Sequence, residues 1–392
     1  MAKYFFPSSF LLFLGNWIGQ ITLNWYVFSL YHNAIYLGLI NFFRLIPILI
    51  LSLWAGNLAD KYNKATLIKI TISLSFILTS LLCILNISLD KLPIIIFLIY
   101  SLGRGILSAI ETPIRQSALP NLSSKLSTTQ AVSYHSFIIN ICRSIGPAIA
   151  GFIVATYNSQ VSFVIQAICY LLAALVCLPI SFKDDDQIPT SKTLSLKVVT
   201  DYFKENLVGA RIFITSLLIM ATGFSFSTLL PVLTDKNFPN QAAIFGTAMT
   251  CSAIGGIIST VVLPNILNKL SIVQVYYGSS ILFGIALLGT MISNTYTLFI
   301  SIFLIGLFSQ WARTTNRIYF QERVSTENRG KIISVIMMDR GMIPLGSMLM
   351  SFIANYFGII QTFMIMGLST LSIALIFSLI NNRKKLEDLI YD

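Results

Sequence analysis

Long apolar runs separated by short polar joints mark this chain from end to end. They fall at about 8–31, 34–55, 67–88, 93–112, 128–156, 160–182, 208–233, 240–265, 272–292, 295–317, 331–356 and 359–381. Strands of a membrane barrel would alternate apolar and polar residues at every second position; these runs do not, so they predict helices. Each is close to the roughly 20 residues that a helix needs to cross a bilayer core. The pattern therefore predicts an all-α membrane protein of twelve transmembrane helices. The first run continues past 25 residues after Lys3 and reads as a membrane helix rather than a cleaved signal peptide.

The longest polar joint lies at 183–207, opening with Lys183-Asp184-Asp185-Asp186-Gln187 and continuing through a Ser/Thr/Lys stretch. It predicts a six-helix bundle over 1–182, a cytoplasmic linker over 183–207 and a second six-helix bundle with a short cytoplasmic tail over 208–392. The halves repeat weakly: Arg115-Gln116-Ser117-Ala118-Leu119-Pro120 follows the fourth helix and Phe320-Gln321-Glu322-Arg323-Val324-Ser325 the tenth. Repeated six-helix halves are an arrangement of secondary transporters, with the substrate held near mid-membrane.

Composition agrees with a bilayer as solvent. Of 392 residues 55% are hydrophobic and 10% charged, where a soluble domain carries about 25% charged; the mean hydropathy is +0.79. Twelve spans occupy about 240 residues, which excludes a large soluble domain. The net charge of +11 would suggest nucleic acid in a soluble chain. Here the basic residues sit in joints, so they report orientation and no nucleic-acid partner. Six of the 26 Lys and Arg lie in or at the edge of predicted helices: Arg44, Arg104, Arg143, Arg211, Arg313 and Arg340. With both termini cytoplasmic, only Lys91 and Lys236 fall outside, and the other 18, Arg115 among them, fall inside. That asymmetry predicts a multi-pass protein of a bacterial inner membrane in this orientation. Cys83, Cys142, Cys169, Cys177 and Cys251 lie in apolar segments without metal-like spacing, implying neither disulfides nor a metal site.

Between the second and third helices stands Gly56-Asn57-Leu58-Ala59-Asp60-Lys61-Tyr62-Asn63-Lys64. Gly56 permits close helix approach, Asp60 suits a cap or ion pair, and Lys61 and Lys64 suit anionic headgroups. The segment resembles the signature loop of the major facilitator superfamily, with lysines for arginines and Asn63 where glycine is usual. The resemblance implies a conformational latch of Gly56, Asp60, Lys61 and Lys64. In the fifth helix, Arg143-Ser144-Ile145-Gly146-Pro147-Ala148-Ile149-Ala150-Gly151 resembles the antiporter motif of exporters in that superfamily, carried by Gly146, Pro147 and Gly151. The stretch from Glu111 to Leu122, with Pro113, Arg115, Gln116, Leu119 and Pro120, is similar to the branch that holds the enterobactin exporter and the macrolide efflux pumps. Gln321 through Gly330-Lys331 resembles the matching segment of the second half. The resemblance implies the major facilitator fold of two pseudo-symmetric bundles, working as a monomer. It leaves the cargo open, since siderophore exporters and drug pumps share these motifs.

Ionisable groups inside a membrane helix are costly and mark function. Arg44, Arg104 and Arg143 lie well inside the second, fourth and fifth runs, against one acid, Glu111, near the cytoplasmic end of the fourth. Arginine suits carboxylates because its planar fork donates two hydrogen bonds. An anionic small molecule is thus the predicted substrate, bound by Arg104, Arg44, Arg143 and Glu111, with a carboxylate-type siderophore favoured and a multidrug or macrolide efflux pump as the alternative. Arg44 and Arg143 sit where arginines are common in the branch and read equally as ties between helices. Arg104 and Glu111 are two turns apart on one face and would partly neutralise each other. The chain holds no phosphate-binding loop, so coupling falls to ions. Glu111 and Asp339 are the proton-carrying candidates, with His135 at an interfacial position a lesser one. With His32 and His135 on different helices, no catalytic cluster forms, and neither an enzyme nor a cofactor is predicted.

Overall fold

The computed structural model describes residues 1–89, 91–119, 122, 128–182, 196–239, 241–324, 332, 335, 336, 339 and 341–391. The side chains of 49, 52–61, 128, 129, 133, 144, 196–198, 242 and 382–391 stand outside that description. Regular structure among the described residues is helical throughout. The order is α1 Ala2–Tyr31, α2 Ala34–Lys61, α3 Lys64–Ser88, α4 Ile94–Ala118, α5 Thr128–Thr156, α6 Ser159–Cys177 and α7 Leu196–Glu205. It continues with α8 Leu207–Thr222, a 3-10 turn Gly223–Ser225, α9 Phe226–Asn237, α10 Ala242–Leu267, α11 Ile272–Gly289, α12 Thr295–Arg323, α13 Met342–Phe357 and α14 Ile359–Tyr391.

Among the described residues nine helices are long and apolar enough to cross a membrane, and Ala34–Ile48 and Met342–Phe357 are shorter apolar helices. The first predicted run is also helical, and it carries Ser8, Ser9, Asn16, Thr22 and Asn24 among its apolar residues. Large apolar side chains such as Ile77, Ile84 and Ile99 remain exposed, as expected where lipid replaces water. The seventh predicted run is two helices joined by the turn at Gly223–Ser225. A Cβ at Gly223 would sit 2.7 Å from atoms of Phe283 and Thr370, so glycine lets the joint pack closely on α11 and α14. At the start of the eleventh predicted run, Ile332, Val335, Ile336 and Asp339 are described, whereas Arg340 lies outside the described residues. Polar caps set several boundaries: Asn63 opens α3 by accepting from the amides of Ala65 and Thr66, and Ser271 and Gln274 form a reciprocal capping box on α11.

The chain divides into two compact units, Met1–Ser191 with Phe238–Thr250, and Lys192–Asn237 with Cys251–Asp392. In the first, α1 packs along α5 and α6, and α2 along α4. Phe5, Leu12, Ile68, Ile72, Ile114 and Tyr170 fill one end of its core and Leu23, Val27, Leu82, Phe97 and Phe163 the other. In the second, Ile212, Tyr276, Tyr319 and Phe320 form the core. There α7, a short helix that the apolar pattern does not announce, lays Phe203 flat on Phe213 at 5.2 Å.

Candidate substrate site

The first unit gathers its polar groups where α1, α2, α4 and α6 converge. Gly105 makes this possible: a Cβ there would lie 2.3 Å from the Arg44 carbonyl oxygen. Only a bare backbone lets α2 and α4 approach so closely, and the approach brings Arg44 beside Arg104. Arg104 is fully buried and Arg44 nearly so, at 0% and 7% exposure. Both reach Asn16 on α1. The Arg44 Nη2 donates to the Asn16 carbonyl oxygen at 3.2 Å, and the Arg104 Nη2 donates to the Asn16 Oδ1. The Arg104 guanidinium also lies over the Tyr170 ring, 4.6 Å from its centre.

A hydroxyl and amide chain completes the cluster. The Tyr170 hydroxyl donates to Asn16 Oδ1 at 2.9 Å. The Gln166 Nε2 donates to both Tyr170 and Tyr100 at 3.0 Å. Gln166 fits because α1 has no side chain at Gly19, where a Cβ would stand 2.1 Å from its carboxamide. Three buried donors are left over: Arg44 Nη1, Arg104 Nε and Arg104 Nη1 have no hydrogen-bond partner among the described residues. No carboxylate lies within ion-pair distance of either guanidinium among the described residues. Two buried cations with unused N–H groups and no counter-anion among the described residues make a site that favours a carboxylate or similar oxyanion.

Glu111 belongs to a different cluster. The sequence pairs it with Arg104; the structure pairs it with Arg115, whose Nε lies 3.2 Å from Glu111 Oε1. The cause is helix geometry. A residue four positions on stands one turn away, whereas Arg104 is two turns back and engaged by Asn16 and the Tyr170 ring. Arg115 itself is not in a cytoplasmic joint, because α4 continues to Ala118 and buries it completely. Its Nη1 donates to Ser9 Oγ at 2.7 Å and its Nη2 to Ser8 Oγ at 3.4 Å. His135 is buried as well, between the rings of Phe5 and Phe13 at 5.9 and 5.6 Å. Arg143 donates to Asn140 on its own helix at 2.7 Å.

Of the proposed latch, Gly56, Asp60 and Lys61 lie outside the described side chains. Lys64 donates to the Ser117 carbonyl at 3.2 Å, in the last turn of α4. Gly146 packs on Trp17, which a Cβ would meet at 2.5 Å; a Cβ on Gly151 would meet the Gly246 Cα at 2.3 Å within the same unit. In the second unit, Asp339 Oδ2 accepts from Ser216 Oγ at 2.8 Å and from Asn316 Nδ2 at 3.2 Å. Asp339 is buried, and among the described residues both these partners are neutral. Ser216 also lines a small cavity with Phe224, Tyr276, Ser280 and Arg313. The sequence missed Asn16, Tyr100, Gln166, Tyr170 and Ser216; polar groups inside apolar runs were the available signal.

The family described as transmembrane secretion effector, of the MFS class, matches residues 3–390. The staphyloferrin A transporter of Staphylococcus aureus (strain NCTC 8325 / PS 47) is 62% identical over 389 residues, 99% of this chain and 98% of that one. Macrolide efflux protein A of Streptococcus pyogenes is 20% identical over 385 residues, 94% of this chain and 93% of that one. Among solved structures, the nucleoside transporter NupG superposes with a TM-score of 0.79 at 16% identity, over 96% of this chain and 98% of that one. That likeness carries the fold alone.

Proposed function

Because the chain belongs to the transmembrane secretion effector family of major facilitator transporters, we propose that it exports an anionic, carboxylate-bearing siderophore of the staphyloferrin A kind. The observation that carries this reading is the pair Arg44 and Arg104, buried together with three donors unused, and no counter-carboxylate, among the described residues. A cationic drug would find two positive charges there, and a neutral macrolide would leave both unmatched. The 62% identity to a staphyloferrin A transporter supports the same cargo.

Energy coupling is assigned to protons, exchanged for cargo. Asp339 is the carrier in this reading, since it is buried and its hydrogen-bond partners among the described residues are a hydroxyl and a carboxamide. Glu111, tied to Arg115, holds α4 to α1 through Ser8 and Ser9. The protein works as a monomer in the bacterial inner membrane. The excess of Lys and Arg in alternate joints supports cytoplasmic termini, and Gly56, Asp60, Lys61 and Lys64 serve as the latch. Gly146, Pro147 and Gly151 support export by antiport.

Proteoliposomes test the whole reading. Metal-free staphyloferrin A should move against its gradient when a pH gradient is imposed, and deleting the gene should lower extracellular siderophore under iron starvation. Unchanged siderophore secretion together with new sensitivity to macrolides or cationic dyes would establish a drug pump instead.

A further inference from the structure

Asn16 occupies an unusual position in the arginine cluster. Its Oδ1 accepts from two donors at once, Arg104 Nη2 and the Tyr170 hydroxyl. Its backbone oxygen accepts from Arg44 Nη2. One residue of α1 therefore presents oxygen to both arginines, as a carboxylate would. Asn16 is half-buried while Arg104 is fully buried, so of the two hydrogen-bonded partners Asn16 is the more accessible. The carboxamide oxygen is neutral, whereas a cargo carboxylate would place a full opposite charge, with two acceptor oxygens, against the guanidinium.

We infer that the Asn16 side chain is a neutral placeholder: it occupies Arg104 and Tyr170 in the empty site and is displaced when a cargo carboxylate takes over both hydrogen bonds. The inference rests on the reading of Arg44 and Arg104 as the anion site and adds how that site is kept empty and soluble in its own membrane. A buried guanidinium without any acceptor is costly. A carboxylate from the protein itself would satisfy it so well that cargo could not compete. A carboxamide lies between these limits. Gln166 and Tyr100 keep the Tyr170 hydroxyl aimed at the same point whichever acceptor is present. The exchange needs no movement of the arginine, which stays stacked on Tyr170.

The test is titration of the purified full chain with metal-free staphyloferrin A, with thermal melting as a check of folding. Asn16→Asp supplies the charged acceptor that the site lacks, and binding should weaken at least tenfold while folding is retained. Asn16→Ser, too short to hold both donors, removes the competitor and should bind the probe more tightly than the parent does. Equal binding by Asn16→Asp and the parent would overturn the inference, as would a tenfold or greater loss in Asn16→Ser, which would make the carboxamide a cargo contact. Should Asn16→Asp fail to fold, the serine variant decides alone. A parent protein that does not bind the probe, with Arg104→Ala indistinguishable from it, would instead sink the anion-site reading itself.

Discussion

Arg115 and Glu111 form an ion pair at 3.2 Å one helical turn apart, with side-chain exposures of 0% and 3%. Both charges have left water, and their mutual attraction is supplemented by the hydroxyls of Ser8 and Ser9. Such a pair is worth little against an apolar replacement, yet removing one partner strands the other and costs about 3–5 kcal/mol. Arg115→Ala is therefore expected to lower the melting temperature of the purified protein sharply. Arg115→Met combined with Glu111→Gln should lie much nearer the parent. A double variant as unstable as Arg115→Ala would mean that the pair is not the unit of stability.

Arg104→Ala should weaken anionic cargo binding by tenfold or more, since each charge-assisted hydrogen bond contributes about 1.5–3 kcal/mol. Arg104→Lys should recover only part, because lysine keeps the charge and loses the fork. Adding Glu111→Ala to Arg104→Ala should not restore binding, as the ion-pair partner of Glu111 is Arg115. Equilibrium titration of the three variants checks this; restored binding in the double variant would remove Arg104 from the cargo site.

Gly105 and Gly19 are predicted to act on binding without touching cargo. Gly105→Ala places a methyl 2.3 Å from the Arg44 carbonyl. Backbone cannot yield there as a flexible side chain can, so α2 and α4 must separate, at a cost of about 1–3 kcal/mol. Gly19→Ala drives Gln166 from its notch and frees the Tyr170 hydroxyl. Both should reduce cargo affinity, Gly105→Ala with the larger loss of thermal stability. Parent-like titrations for both would show that Arg44 and Arg104 do not need this spacing.

Asp339→Asn should leave cargo binding nearly intact while transport in proteoliposomes stops responding to an imposed pH gradient. Ser216→Ala, which removes the 2.8 Å hydrogen bond to the carboxylate, should weaken that response without abolishing it. A pH-driven flux that survives in Asp339→Asn would transfer the proton to another group.

The helical class and the approximate spans were legible in the sequence because partition into lipid is a local property. About twenty consecutive apolar residues suffice, whatever lies elsewhere in the chain. The resemblance at Gly146, Pro147 and Gly151 pointed to the family for a similar reason, since short motifs are read in place. Buried arginines were also visible as charges inside apolar runs. Their partners were not. Helical periodicity relates a residue only to those three or four positions away, whereas Arg104 meets Asn16 from 88 positions off and Tyr170 reaches Asn16 across 154. Arg115 shows the opposite failure. Its partner stands four residues away, but a polar stretch at a helix end looks like a loop until the packing of Phe5, Ser8 and Ser9 buries it. Apolar patterning along the chain is enough to mark candidate membrane segments and the charges they carry. Which charges are matched follows from how the helices pack. Matching depends on the close crossings that Gly19 and Gly105 allow, and those belong to pairs of helices rather than to either one.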